Sequence, residues 1–483
     1  MPELPEVETV KRILEKEVTG LTIVKAEVLY PRLIQTDLSS FKSEIAGRKI
    51  TSLSRKGKYL IFHLSGSYAL LVHFRMEGKF FHLPSLEENL NKHVSLYFTM
   101  DDGTYMIFND VRKFGVMYLY KEEELAGCEP LSKLGQEPWD IKDPQYLLDC
   151  YKGRKTMMKE ALLDQSVISG LGNIYADEVL FRTRTNPFMA AEDLNLEQAQ
   201  KIVEVASSVL TEAIANHGST IRTYHPAQGM NGGMQGFLQA YGHEGQPCPK
   251  CGCRMEKRYV GGRGTTYCPS CQHVMPSLAI TGKIAVGKTQ VLEIFRSLGC
   301  YTASADEMVH ALYGEPSFLE SLRKKFGESL FNGDNLDKKS LSDKMISDKR
   351  FRRSYESFIW SAVKDKVNDF LISHTDKITA IEIPLLFNAH MDGDFTYTIG
   401  VESAKQIDYL ADRQRQAEPE AQVDQALLEK KIGLSSSNAY DANRKKLSYI
   451  IVNNGTRESL INQVGEIYSK IWNAYKDLAS KAR

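Results

Sequence analysis

Cys248-Pro249-Lys250-Cys251, Cys268-Pro269-Ser270-Cys271 and Gly282-Lys283-Ile284-Ala285-Val286-Gly287-Lys288-Thr289 follow one another within residues 248–289, where one kind of module ends and another begins. Sixteen residues separate the two Cys-x-x-Cys pairs. Each pair can sit on a tight knuckle and offer two thiolates to one tetrahedral Zn²⁺, the pattern of a closed structural site. Between them, Arg258-Tyr259-Val260-Gly261-Gly262-Arg263-Gly264-Thr265-Thr266-Tyr267 reads as a β-hairpin with a glycine turn and Arg263 near its tip. The run 282–289 fits G-x-x-x-x-G-K-[ST]. It follows the strand-like Ser277-Leu278-Ala279-Ile280 and precedes a helical stretch from Thr289. That context makes it a phosphate-binding loop, with backbone amides and Lys288 for phosphates and Thr289 for Mg²⁺. The boundary between modules is placed near 274–277, with little room for a linker.

The bulk properties set the frame. The chain has 483 residues, enough for several domains, with 61 basic and 61 acidic side chains. Charge is balanced in both halves, so any nucleic-acid binding must rest on local clusters. No apolar run reaches membrane-spanning length and no signal peptide is visible, which sets the expectation of a soluble cytoplasmic protein. The other cysteines, Cys128, Cys150, Cys253 and Cys300, follow no disulfide pattern and read as reduced thiols.

Upstream of the cysteines, residues 21–120 alternate in short strand-like runs separated by Gly and Ser, which predicts a sandwich or barrel. Helical periodicity dominates 144–217, interrupted at Gly170-Leu171-Gly172-Asn173, and 218–236 reads as a mobile loop. Downstream of 277, helices alternate with short apolar segments, as in a βαβ architecture.

The chain opens Met1-Pro2-Glu3-Leu4-Pro5-Glu6, followed by apolar Val7, Val10, Ile13 and Leu14 at helical spacing. A proline in second place favours removal of Met1, which frees a secondary amine. An α-amino group has a pKa of roughly 8, about two units below lysine, so more of it is nucleophilic at neutral pH. Its attack on an aldehyde-like carbon gives an iminium, an electron sink for elimination. Glu3 and Glu6 lie beside it as acids or bases. Arg55-Lys56-Gly57-Lys58-Tyr59 gathers cations at a turn, and strand alternation predicts Lys56 and Lys58 on one face. Met76, Arg112 and Phe114 can serve as wedges that fill the gap left by an extruded base, while taken singly Met76 and Phe114 read as core and the lysines as a solvated face. Gly172-Asn173 with Lys155 and Lys159 reads as a phosphate-binding turn.

Taken together, residues 1–273 resemble a bacterial formamidopyrimidine-DNA glycosylase. The resemblance rests on Pro2-Glu3-Leu4-Pro5-Glu6-Val7-Glu8, Lys56-Gly57-Lys58-Tyr59, Asp110-Val111-Arg112-Lys113-Phe114-Gly115, Leu163-Asp164-Gln165, Gly170-Leu171-Gly172-Asn173-Ile174-Tyr175 and the cysteine hairpin. Leu4, where the related endonuclease VIII enzymes usually have glycine, favours the oxidised-purine branch over one acting on oxidised pyrimidines. The resemblance implies Pro2 as nucleophile, Glu3 as the acid that opens the sugar, Glu6 in the same pocket, and Lys58 and Arg263 in proton delivery during β,δ-elimination. It implies DNA contacts at His93, Arg112, Lys155 and Asn173, a wedge of Met76, Arg112 and Phe114, and a loop near 219–236 that closes over the base. The substrate would be 8-oxoguanine and ring-opened purines in duplex DNA, bound by a monomer. The implied architecture is a β-sandwich (1–130), a helix-two-turns-helix domain (131–237) and a zinc finger on Cys248, Cys251, Cys268 and Cys271 (238–274).

Residues 278–470 resemble dephospho-coenzyme A kinase through the loop Gly282–Thr289, Ser304-Ala305-Asp306 with His310, Ile383-Pro384-Leu385-Leu386-Phe387 and Asn453-Asn454-Gly455. This implies an α/β P-loop domain over 277–483 that uses ATP and Mg²⁺, with Asp306 as base. The chain departs from the family's pattern at Lys283, Val286, Ser304, Trp360-Ser361, Asn388 and Tyr409. Several of these positions touch substrate in the family. A degenerate nucleotide-binding or purely structural module is therefore the competing expectation.

Overall fold

The structure, a computed structural model, describes residues 2–86, 90–219, 233–417 and 437–481. It divides into two compact units: Met1–Gly242 with Val260–Thr265, and His243–Tyr259 with Thr266–Arg483.

The first unit starts with the helix Leu4–Val18. Pro5 lies in its first turn, where a missing N–H costs nothing. Eight strands follow: β1 (Thr22–Val28), β2 (Arg48–Lys56), β3 (Tyr59–Leu64), β4 (Tyr68–His73), β5 (Lys79–Leu83), β6 (Val94–Met100), β7 (Tyr105–Asn109) and β8 (Val116–Lys121). Their order is β5-β7-β6-β1-β2-β3-β4-β8, with antiparallel pairing throughout. A flat sheet would put β3 and β5 about 24 Å apart, at roughly 4.8 Å per strand. Yet the rings of Phe62 on β3 and Phe80 on β5 lie 5.5 Å apart. The sheet is therefore folded over on itself, and the short β1–β2 register is where it turns. The expected sandwich encloses Ile23, Phe62, Val72, Phe98 and Phe108.

A second core of the same unit is helical. It is formed by Gln145–Tyr151, Met158–Leu163, Asn173–Arg182 and Leu196–Ala215 around Leu162, Val179 and Leu210. The opening helix serves both cores: Leu4 packs into the helical one, Val7 and Val10 into the sheet. That shared packing draws the chain's N-terminus between them.

The cysteine hairpin pairs β9 (Glu256–Val260) with β10 (Arg263–Tyr267). In the second unit, β11 (Ser277–Thr281), β12 (Tyr301–Ser304), β15 (Thr379–Glu382), β16 (Tyr397–Glu402) and β17 (Tyr449–Val452) form a parallel sheet ordered β12-β15-β11-β16-β17. A small hairpin, β13 (Phe331–Asn332) and β14 (Asn335–Leu336), stands apart from it. Central strand β11 is buried along its length, as expected of a parallel strand covered by helices on both faces. Among the described residues no helix is long and apolar enough to cross a membrane.

Candidate functional site

The helix Asn173–Arg182 starts from Gly172, and its free N–H groups form an anion cradle. The Glu3 carboxylate fills it. Oε2 accepts from Gly172 N at 2.8 Å and from Tyr175 N at 3.4 Å, and Oε1 accepts from Ile174 N at 3.0 Å. Glu3 is 2% exposed. A Cβ on Gly172 would fall 2.2 Å from Glu3 Cδ, so the approach is open only to glycine. Leu4 N also donates to Gly170 O at 3.2 Å. Pro2, itself buried, is thereby held at the mouth of this turn by its two neighbours.

Glu6 turns back beneath Glu3 and accepts from Glu3 N at 2.9 Å. It also accepts from the Tyr175 hydroxyl at 2.6 Å and from Ser219 N at 2.8 Å. Burial, with the Glu3 charge beside it, raises Glu6 above the usual carboxylate range, against the lowering pull of these hydrogen bonds. Lys58 donates to Leu171 O at 2.7 Å, on the same glycine turn. Burial lowers its pKa to about 8; Glu3 and Glu6 oppose this shift and Arg263 adds to it. One pocket therefore gathers two carboxylates and an ammonium that can release its proton near neutral pH.

Pro2, Glu3, Glu6, Lys58 and Arg263 are thus brought to one place, with Asn173 joining them. Asn173 Nδ2 donates to Gly264 O at 2.9 Å and ties down the hairpin tip beside the exposed Arg263. Two expectations need correction. Lys56 and Lys58 do not share a face: they flank the turn at Gly57, whose φ of 56° reverses the chain between β2 and β3, so Lys56 is exposed and Lys58 buried. Lys159 is not open to a phosphate. It is fully buried and donates to Asp177 at 2.6 Å and to Asn173 O at 2.8 Å, while Lys155 is exposed.

A second cluster lies on the loops of the sandwich. Asp110 accepts from Arg112 N at 3.0 Å and from Gly115 N at 2.7 Å, so one carboxylate shapes the whole turn. Arg112 reaches Met76 Sδ at 3.1 Å, and Phe114 is 55% exposed, a large ring left in solvent. His93 is half-buried, its carbonyl accepting from Asp110 N at 2.9 Å. Of the loop expected near 219–236, residues 220–232 lie outside the described residues.

Several anchors carry no signal that periodicity reveals. Glu137 binds Arg55 at 2.6 Å and caps Gly57 N at 2.7 Å, fixing the turn that presents Lys58. Gln165 grips Gly170 N at 3.1 Å and Leu171 O at 2.8 Å. Tyr175 and Ser219 complete the seat of Glu6. Tyr175 was within reach of the sequence, being one turn into a helix that follows a glycine-rich break.

At the knuckles, tetrahedral Zn²⁺ with Zn–S near 2.3 Å requires sulfur separations of about 3.8 Å. The Sγ atoms of Cys248 and Cys271 are 3.8 Å apart, those of Cys251 and Cys268 are 3.5 Å apart, and all four lie within 4.8 Å of one another. The four ligands fit the ion.

In the second unit, Gly287 (φ 89°) opens the helix Lys288–Ser297 directly after β11. Lys288 Nζ donates to Lys283 O at 2.9 Å, and Asn453 Nδ2 steadies the loop on Val286 O at 3.0 Å. Thr289 donates to Glu382 Oε2 at 3.1 Å, a hydroxyl–carboxylate pair suited to Mg²⁺. The loop opens on a cavity of about 910 Å³ that Asp306 lines, together with the divergent residues Lys283, Trp360, Asn388 and Tyr409. Lys283 is held by Asp441 at 2.9 Å.

The first unit thus gathers two buried carboxylates and a buried lysine beside Pro2, and the second holds the cysteine knuckles and a P-loop domain. Family models agree: the formamidopyrimidine-DNA glycosylase N-terminal domain matches residues 1–117, the H2TH domain of the same family 134–225, and dephospho-CoA kinase 277–459. A formamidopyrimidine-DNA glycosylase of Bacillus cereus is 46% identical over 275 residues, covering 56% of this chain and 99% of the relative. One from Lactobacillus helveticus is 44% identical over 273 residues, with the same coverage. A Lactococcus lactis Fpg point mutant, solved with a Fapy-dG-containing DNA, superposes with a TM-score of 0.54 at 38% identity over 56% of this chain and 99% of the other. The same enzyme with an abasic-site-containing DNA gives 0.53 at 38% identity and the same coverage. The chain belongs to the formamidopyrimidine-DNA glycosylase family, and it carries a dephospho-CoA kinase domain behind that module.

Proposed function

We propose that the chain is a bifunctional DNA glycosylase and abasic-site lyase that removes oxidised purines, 8-oxoguanine and formamidopyrimidines, from duplex DNA. The observation that carries this reading is the Glu3 carboxylate, buried on the helix N-terminus beside Lys58 and Glu6. With Met1 removed, the Pro2 amine attacks C1′ of the flipped nucleotide. The base leaves with the glycosidic electron pair and takes up a proton. Glu3 protonates the ring oxygen as the sugar opens, and the resulting iminium draws electrons as the 3′ and then the 5′ phosphate depart. Lys58 and Arg263 serve as proton carriers and phosphate partners during these eliminations. Arg112, Met76 and Phe114 fill the vacated stack, with His93, Lys155 and Asn173 on the backbone. Cys248, Cys251, Cys268 and Cys271 hold a structural Zn²⁺ that orders the Arg263 hairpin. Borohydride trapping on 8-oxoguanine duplex tests the assignment. A covalent adduct is expected from the native chain, and an undiminished adduct in Pro2→Gly would sink it.

For the second unit, the reading is an ATP- and Mg²⁺-dependent kinase of the dephospho-coenzyme A type. Gly282, Gly287, Lys288 and Thr289 cradle the nucleotide and Asp306 faces the acceptor. The divergent side chains around the cavity favour a second reading, nucleotide binding without transfer. Phosphorylation of dephospho-coenzyme A, lost in Lys288→Ala and Asp306→Ala, supports the first; ATP binding without turnover leaves the second.

A further inference from the structure

The face of the zinc hairpin that bears Glu256 and Arg258 is built for a neighbour. These two residues alternate along β9, and Arg258 is only 4% exposed. Buried charges require partners. Glu256 accepts from the Tyr267 hydroxyl at 2.7 Å on the hairpin itself and from Thr396 Oγ1 at 2.7 Å on the approach to β16. Arg258 donates to Glu256 at 3.2 Å and to Ser277 Oγ at 3.1 Å, at the start of β11. Ser277 N in turn donates to Thr396 Oγ1 at 2.9 Å. A second clamp comes from the helix Lys349–Ser373. Asn368 Oδ1 accepts from Tyr259 N at 2.9 Å and Asn368 Nδ2 donates to Tyr259 O at 2.7 Å. One side-chain amide thereby satisfies both backbone groups of a strand residue, as a neighbouring strand would.

We infer that the kinase-like domain has a further function that needs no phosphoryl transfer: it is the seat of the zinc hairpin, with Asn368, Thr396 and Ser277 as positioning residues for the β-ribbon that carries Arg263. All of these contacts lie in the second compact unit, which takes in the knuckles as well as the P-loop domain. The contacts engage the starts of β11 and β16, whereas the phosphate loop follows the end of β11, so seating and nucleotide binding use opposite ends of the sheet. The inference rests on the glycosylase reading only where it names Arg263 as the working residue.

The test uses the full zinc-loaded chain. In Asn368→Ala/Thr396→Val, transfer of zinc to a chromophoric chelator should speed up at least about tenfold, the factor that corresponds to roughly one net hydrogen bond of the several removed. Amide exchange should rise in the segment 256–267 and stay unchanged in the sandwich strands. Asn368→Asp keeps the acceptor for Tyr259 N and loses the donor to Tyr259 O, so it should fall between the native chain and the double variant. It also decides the matter if the double variant unfolds. Abasic-site cleavage should then drop through kcat, in the same order as the exchange rates. Native zinc transfer and native exchange in Asn368→Asp and in any folded double variant would overturn the inference. That outcome would leave the borohydride result untouched, so failure of the seat is distinguishable from failure of the glycosylase reading.

Discussion

Among the described residues, two α-helices start from a glycine N-cap, at Gly172 and Gly287, and present the same backbone device, the N–H groups at the positive end of a helix dipole. At Gly172 the device is satisfied from within: the Glu3 carboxylate sits on it at 2.8 Å, and the glycine has no room for a side chain. At Gly287 it opens on a cavity of about 910 Å³, lined among others by Lys283, Lys288, Trp360, Asn388 and Tyr409. An internal anion turns the cradle into a rigid mount for the residues beside Glu3. An open cradle is a receptor, and its surroundings can change without collapsing the fold. The contrast sets a closed seat that fixes Glu3 against an open one whose surrounding wall is free to vary.

The sharpest break in that comparison is Pro2→Gly, expected to reduce trapped adduct on the order of 10³-fold or more while the fold persists. Next is Gly172→Ala, whose Cβ would displace Glu3. Cleavage of abasic duplex should fall about 10²-fold, the scale of a 1 Å misplacement. At the open cradle, Lys288→Ala should weaken ATP–Mg²⁺ binding roughly ten- to hundredfold by calorimetry, through loss of one charge-assisted contact.

The pH dependence comes from Lys58, whose pKa burial lowers to about 8. Strand cleavage should decline as pH rises through that value, and Lys58→Arg should carry the decline to higher pH. The stability sign is opposite. Below about 8 the cost of burying the charged ammonium is fully present, and between there and the ordinary lysine value the unfolded chain binds more protons. Denaturant titrations across that window should show native stability gaining from Lys58 as pH rises, and Lys58→Met should remove the gain. The smallest effect on the fold is Phe114→Ala. Its exposed ring predicts a stability change within about 0.5 kcal/mol, against a loss of lesion-DNA affinity of roughly tenfold from the missing wedge.

Much of this was legible along the chain because it is local. The cysteine spacing, the phosphate loop and the opening Pro2–Glu6 each carry their chemistry within a few residues. Alternation predicted the sandwich. It failed at Lys56 and Lys58, where a positive-φ glycine breaks the strand that alternation assumes. The phosphate-binding turn misjudged Lys159, because its partner Asp177 lies eighteen positions on and meets it only through helix packing. Glu137 was silent for the same reason: its partners Arg55 and the Gly57 amide lie 82 and 80 positions back.

The sequence by itself determined which chemical groups exist: a proline in second place beside two carboxylates, four thiols at metal spacing, and a glycine-lysine loop behind a strand. Tertiary structure decided their states and their company. It seated Glu3 on a helix begun 170 residues away, buried Lys58 until its proton became labile, and set Asn368 against Tyr259 of the cysteine hairpin. The physical reason is range. Spacing encodes what a few residues can do together, whereas desolvation and hydrogen-bond partnership depend on every segment that folding brings near.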